Sequence, residues 1–310
     1  MNTLREAVEE YLTMRRGLGF KLHRDGKRLL DFVSFLEERG ATYITTSLAL
    51  EWAQQPLSAQ PATWGQRLSQ VRGFARYRSA MDPQTEIPSF KLLPYRPGRA
   101  RPYLYTDQEV QQLLAAALKL PPADGLRRWI YHALLGLLAV SGLRISEAIG
   151  LKLEDVDLGE GLLTVHGAKL GKSRLVPLHA STRQVLANYK LRRDDFLAGR
   201  PASYFFISQR GNRLDTGDVH RTFYLLSRQI GLRDPDSSSG PRLHDFRHRF
   251  AVETMLRWYR AGEDVERRLP VLSTYLGHVH VSDTYWYLTA CPELMGLAVE
   301  RLEHRWEVQS

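Results

Sequence analysis

Apolar side chains recur every three to four positions from Leu4 to about Leu36, first at Leu4, Val8, Tyr11 and Leu12, then at Leu29, Phe32, Val33 and Leu36. This is the period of α-helix with one buried stripe. The same period returns around Ser47 to Gln54 and Thr63 to Ser79, with Pro56, Pro61 and Pro83 as breaks, because proline lacks the amide that a helix interior needs. Residues 1–95 therefore read as a small helical domain. Pro88 to Pro102 holds four prolines and several basic residues without either periodicity, which predicts an extended connection, with the linker proper at 96–102. Thr106 followed by Glu109 makes a capping box in front of Val110, Leu113 and Leu114, and it opens a second domain over 103–310.

Most of that second domain also carries the helical period. The dense apolar stretch from Leu134 to Val140 is far shorter than the roughly 20 residues that a bilayer-spanning helix needs, so it predicts a buried core helix. Leu162 to His166 and Arg174 to Leu178 read as two short strands around the turn GAKLGKS. The fold expectation is mainly α with a small β-hairpin, an α+β arrangement. Pro235 to Pro241, with three consecutive serines, reads as a loop, and the next helix starts near Leu243. Pro292 to about Arg305 reads as an amphipathic helix with Leu294, Leu297, Ala298 and Leu302 on one side, suited to docking on a neighbouring protomer or on its own chain.

Charge narrows the choice of partner. The chain has 43 Lys+Arg against 34 Asp+Glu, an excess that favours a polyanion such as nucleic acid. Residues 1–102 carry 16 basic and 10 acidic side chains, so the excess is concentrated N-terminally. Arg67, Arg72, Arg76 and Arg78 fall close to helical spacing, while Arg96, Arg99 and Arg101 crowd the proline-rich segment; together they form a candidate DNA-backbone contact. The first residues, MNTLREAVEEY, hold no apolar run of the kind an export signal needs, so the expected compartment is the cytoplasm, with no membrane partner. A single cysteine, Cys291, excludes an internal disulfide and a cysteine-built zinc site.

Three segments carry candidate chemistry. In SGLRISEAIGL, Arg144 sits at a helix junction, where its guanidinium can offer two parallel donors to a phosphate or pair with Glu147. In LHDFRHRF, His244 and Arg247 lie three apart near a helix N-terminus, whose free amides and dipole favour anions. His244 and His248 are four apart, a zinc-like spacing, but no glutamate follows the first histidine and no third ligand is evident, so no metal is expected. In YLGHVHVSDTYWYL, Tyr287 follows His278 by nine residues, with Tyr285 two before it. Residues two apart on a helix face different directions, so only one of the tyrosines can enter a shared pocket.

The order and wording of these segments resemble the tyrosine recombinase, or phage integrase, family, over roughly residues 104 to 290. That family runs Gly-Leu-Arg with a following Ser-Glu, then His-x-x-Arg-His, then Leu-Gly-His with a tyrosine nine residues after the histidine; Arg144, His244, Arg247, His278 and Tyr287 occupy those positions here. GAKLGKSRLVPL is similar to the family's lysine turn. Alignment backwards from Arg174 and Pro177 selects Lys169, although the turn is one residue longer than usual and leaves Lys172 as a competitor. The stretch FAVETMLRWYRAGEDVERRLPVLSTY is longer than in the chromosome-dimer-resolving Xer recombinases and looks more like the integrases and transposases of mobile elements.

The resemblance implies a site-specific DNA recombinase that works without cofactors. Tyr287 would attack a backbone phosphate held by Arg144 and Arg247. His244 would help remove the phenolic proton, since a free tyrosine titrates near pH ~10, and His278 would donate a hydrogen bond to the phosphate. Lys169 would protonate the departing 5′-oxygen, and Glu147 would support the first box. The product would be a 3′-phosphotyrosyl link that stores the bond energy for rejoining. The N-terminal unit would be a core-binding domain, and the two domains would close on duplex DNA as a clamp. Four protomers would act on two sites, with accessory recombinases or DNA-bending proteins as further partners. Lys172 and Arg174 join the candidate DNA contacts. A type IB topoisomerase shares the chemistry without strand exchange, a binding protein with a decayed site would lack it, and a metal-dependent nuclease would need an acidic cluster that the sequence does not offer.

Overall fold

The helical period from Leu4 to Leu36 is broken once. α1 (Leu4–Gly17) ends at the Gly-Leu-Gly sequence, where Gly19 and Leu22 both take positive φ, and α2 (His23–Glu38) then starts afresh. One long amphipathic pattern is thus folded back on itself, because glycine tolerates the left-handed backbone that ends a helix. α3 (Thr46–Gln54) and α4 (Pro61–Arg78) follow, the latter with proline in its first turn, where no helix amide is lost. Val8, Leu12, Phe32, Val33, Leu36, Trp52, Val71 and Phe74 from all four helices make one buried cluster. These coordinates are a computed structural model that describes residues 3–93, 101–167, 173–237, 239–288 and 291–309, apart from the side chains at 302 and 304–309. The chain divides into two units, residues 1–100 and 101–310.

The second unit is built around α6 (Arg127–Ser141), against which α5 (Asp107–Ala117), α8 (Ala180–Leu197) and α10 (Asp245–Arg260) pack. Leu134, Leu135, Leu137, Leu138 and Ala139 are buried as the apolar stretch requires, whereas Val140 reaches solvent. α5 begins at the Thr106–Glu109 capping box, formed in both directions. Between α6 and α8 lie the short α7 (Ile145–Ala148) and an antiparallel sheet of β1 (Val156–Asp157), β2 (Leu162–Val165) and β3 (Arg174–Pro177), in that spatial order. The expected hairpin is β2–β3, with Val165 paired to Arg174 nearest the turn. β1 adds an edge strand that is too short for period 2 to reveal.

α9 (Thr216–Gln229) covers α5, and after α10 come α11 (Val265–Leu276), the one-turn α12 (Ser282–Tyr285) and α13 (Pro292–Gln309). α13 lies against α10 of its own chain, with Leu294 buried among Met255, Leu256 and Leu269. Ion pairing of Arg260 with Glu293 adds to that contact. No described helix is long and apolar enough to cross a membrane.

Gly142 closes α6 at φ +60°, and a Cβ there would stand 2.6 Å from the Phe250 ring. Gly142→Ala combines backbone strain with a clash and is expected to destabilise the chain by about 1–3 kcal/mol. Urea unfolding monitored by circular dichroism measures the loss, and an unchanged midpoint would contradict it.

Candidate active site

Three arginines from distant parts of the sequence meet the last turn of α11. Arg174 donates from Nε to the carbonyl of Tyr275 at 2.7 Å, Arg247 from Nη2 to that of Leu276 at 2.5 Å, and Arg144 from Nη2 to that of Gly277 at 3.3 Å. Arg247 also holds the carbonyl of Gly142 at 2.9 Å. Unpaired carbonyls at a helix C-terminus carry partial negative charge and attract cations. Gly277, at φ +67°, turns the chain away there, and a Cβ in its place would press on the Arg174 guanidinium at 2.8 Å. The turn thus admits glycine and gathers the arginines.

Glu147 binds two of the three. Its carboxylate accepts from Arg144 Nη1 at 2.8 Å and from Arg174 at 3.2 and 2.8 Å, and it also receives the Arg144 backbone N–H. Burial pushes this carboxyl upward, but the Arg174 and Arg144 hydrogen bonds outweigh it and hold the group below its ordinary value. Arg144 is thus paired with Glu147, as one of its two expected roles requires, and its side chain stays partly open to solvent. Arg247 is fully buried, which pushes it down to about 10; the charge of Tyr287 and a hydrogen bond with that side chain act in the opposite direction. It remains a cation near neutral pH. Three cationic groups against one shared carboxylate leave the pocket with an excess of positive charge that an anion would relieve.

The tyrosines separate cleanly. Tyr287 is 3% exposed and lies beside the two histidines, its ring 5.9 Å from that of His278 and 5.3 Å from that of His248, whereas Tyr285 is 52% exposed. His278 reaches Thr284 Oγ1 through Nδ1 at 2.8 Å, which fixes its ring. Burial, then the Arg247 and Arg144 charges, push His278 down to about 4. His244 stands exposed at the start of α10; desolvation of its ring, then the Arg247 charge, hold it below the ordinary imidazole value.

His248, weighed in the sequence only as half of a zinc-like pair with His244, is brought against Tyr287 by the fold. It is buried, lies 4.8 Å edge-to-face from His244 and 4.9 Å from Trp286, and is pushed down to about 4 by burial, then by His244. Its place four residues after His244, on the same helix face, was the available signal. Among the described residues no three His, Cys, Asp or Glu side chains gather as a metal-binding group.

Several candidate DNA contacts need correction. Arg72 is buried and donates to the carbonyls of Pro88 and Ser89 at 2.7 and 2.6 Å. Arg67 lies flat on Trp52 at 3.7 Å and donates to its carbonyl at 2.8 Å. Both are internal struts, and Arg78, buried beside Asp82, is a third. Arg174 is likewise engaged with Glu147 and Tyr275. Arg76 and Arg101 are exposed. Arg96, Arg99, Lys169 and Lys172 lie outside the described residues.

The depressed His248 and His278 give stability a pH dependence of known sign. In the unfolded chain both titrate near pH ~6.5, so unfolding takes up protons between that value and about 4. Stability is full above the unfolded value and is lost as pH falls through the folded one. The urea midpoint is expected to drop from about pH 7 to about pH 5, and His278→Asn should flatten that slope; a variant with the wild-type slope would show that His278 contributes nothing.

Comparison with known proteins gives the family. The Sinorhizobium fredii protein y4rB, an integrase/recombinase by name, is 60% identical over 99% of both chains. The tyrosine recombinase XerD of Caulobacter vibrioides is 30% identical over 89% of this chain and 87% of its own. The solved structure of the Tn1549 transposon integrase in complex with transposon right-end DNA covers 98% of this chain and 99% of that one, with a TM-score of 0.69 at 17% identity, and so shares the fold. The pattern of the phage integrase family matches residues 104–293. With well over half its length matched, and with relatives of this identity along nearly the whole of it, this chain belongs to the phage integrase family.

Proposed function

We propose that the protein is a site-specific DNA recombinase that cuts and rejoins duplex DNA through a 3′-phosphotyrosyl intermediate, serving integration, excision or transposition of a mobile element. The observation that carries this reading is the convergence of Arg144 and Arg247 on the end of α11 with Tyr287 against Arg247 and His278. A phosphodiester resists attack because it is anionic and its leaving alkoxide is poor. Arg144 and Arg247 clamp the non-bridging oxygens and grip harder as charge grows in the five-coordinate transition state. Tyr287 Oη bonds to phosphorus while its proton passes to His244, and the P–O5′ bond breaks as Lys169 protonates the leaving oxygen. His278, neutral near pH ~7, donates a hydrogen bond to the phosphate. Rejoining reverses these steps with the 5′-hydroxyl of another strand.

The exposed Arg76 and Arg101 supply backbone contacts, the N-terminal unit acts as the core-binding domain, and four protomers assemble on two sites, working on DNA in the cytoplasm and its nucleoid. XerD being the name of a 30% relative, chromosome-dimer resolution is the second reading. Joined products from two target duplexes distinguish recombination from the nicking and closing of a topoisomerase.

The test is covalent capture on a suicide duplex selected from a randomised pool by the wild-type chain. Tyr287→Phe is expected to retain DNA binding in a gel-shift assay and to form no adduct; an adduct that persists would move the nucleophile to Tyr285. Arg144→Ala should slow adduct formation by about 100-fold or more while melting as a folded protein, and a rate within a few-fold of wild type would remove the phosphate clamp.

A further inference from the structure

Thr284 lies fully buried in α12, three residues before Tyr287, and is not itself part of the cleavage chemistry. It nonetheless touches the site twice. Its hydroxyl lies 2.8 Å from His278 Nδ1, and its carbonyl accepts the Tyr287 backbone N–H at 3.0 Å. Its own N–H goes to the carbonyl of Val281 at 2.8 Å, so its backbone is held from both directions. A single residue thus links the imidazole of His278 to the chain that carries the nucleophile.

The direction of the hydroxyl bond decides which nitrogen of His278 carries its proton. A hydroxyl has one proton to give, and a buried donor left unpaired is costly. Among the described residues Thr284 Oγ1 meets no acceptor other than His278 Nδ1. It does not bond back to the carbonyl four residues earlier, as Thr254 does to Phe250 and Thr274 to Pro270. The hydroxyl proton therefore goes to Nδ1, which must be bare to receive it. Burial, then the Arg247 and Arg144 charges, keep this ring neutral near pH ~7, and a neutral imidazole has one proton, which then sits on Nε2.

We propose that Thr284 is a positioning residue that fixes the tautomer and orientation of His278, so that Nε2 carries the proton offered to the scissile phosphate. The proposal rests on the reading of His278 as a phosphate donor. In the opposite tautomer Nε2 would present a lone pair to an anion, and the contact would repel. Which nitrogen of a neutral imidazole is protonated is set by the hydrogen bond that the other one makes, and here that bond comes from Thr284. The Tyr287 amide on the carbonyl of the same residue keeps the nucleophile in step with this ring, which lies 5.9 Å from the phenol ring.

The experiment reads the ring nitrogens by NMR in the full chain with isotope-labelled histidine, and adduct formation on the selected suicide duplex. The His278 signals, identified by their loss in His278→Phe, are expected to show a protonated Nε2 and a bare Nδ1. A proton on Nδ1 in the wild type overturns the proposal, even where a Thr284 variant does not fold. Thr284→Val, which keeps the shape and drops the hydroxyl, should draw the two signals towards each other and slow cleavage about 10-fold or more. Thr284→Ser, which keeps the hydroxyl, should leave both near wild type. In the His278→Phe background Thr284→Val is expected to slow cleavage no further, because its effect runs through His278. Equal slowing in both backgrounds assigns Thr284 to packing and overturns the proposal. A slow His278→Phe beside a Thr284→Val at the wild-type rate removes the proposal alone, whereas His278→Phe at the wild-type rate removes the phosphate-donor reading and the proposal with it.

Discussion

Cations packed side by side repel, and what lets Arg144, Arg174 and Arg247 crowd together is the C-terminal turn of α11. Tyr275, Leu276 and Gly277 present successive carbonyls to which the three guanidiniums donate, and Glu147 adds a buried negative charge between two of them. The arrangement satisfies hydrogen bonds more completely than it balances charge. Each arginine has five donors in a planar fork, which is how Arg144 and Arg174 can serve both a carbonyl of this turn and the Glu147 carboxylate.

That constraint explains features of the fold that are otherwise unconnected. Gly142 and Gly277 sit at positive φ where α6 and α11 end, each so closely approached that a side chain would strike Phe250 or Arg174. The hairpin is fastened to the same turn through Arg174. α13, which follows Tyr287, is held on α10, the helix that starts at His244 and contains Arg247 and His248. Arg144, Arg247 and Tyr287 are thus far apart along the chain, yet the two arginines meet at one turn and Tyr287 lies against Arg247.

Much of the architecture was legible in the sequence because it is local. The capping box at Thr106 and Glu109, the proline at the head of α4, the hairpin around the turn and the apolar face of α13 each depend on residues a few positions apart, and all four are present in the structure. The break between α1 and α2 was also written there, in Gly17 and Gly19, but apolar positions with the same spacing on both sides concealed it. β1, only two residues long, left no periodic trace.

The sequence by itself determined which residue types stand in which order: the motif arginines, histidines and tyrosine, the lysine turn, and the basic bias of the first hundred residues. Tertiary packing alone decided their use. Spacing on α4 makes Arg67, Arg72 and Arg76 look alike, yet the first lies on Trp52, the second is buried against the chain at Pro88 and Ser89, and only the third reaches solvent. Two tyrosines two residues apart are equivalent on paper; α12 and its following turn expose one and place the other between two imidazoles. The physical reason is the same in each case. Periodicity fixes the direction in which a side chain leaves its own helix, whereas its environment belongs to whatever distant segment packs there, which no local pattern encodes.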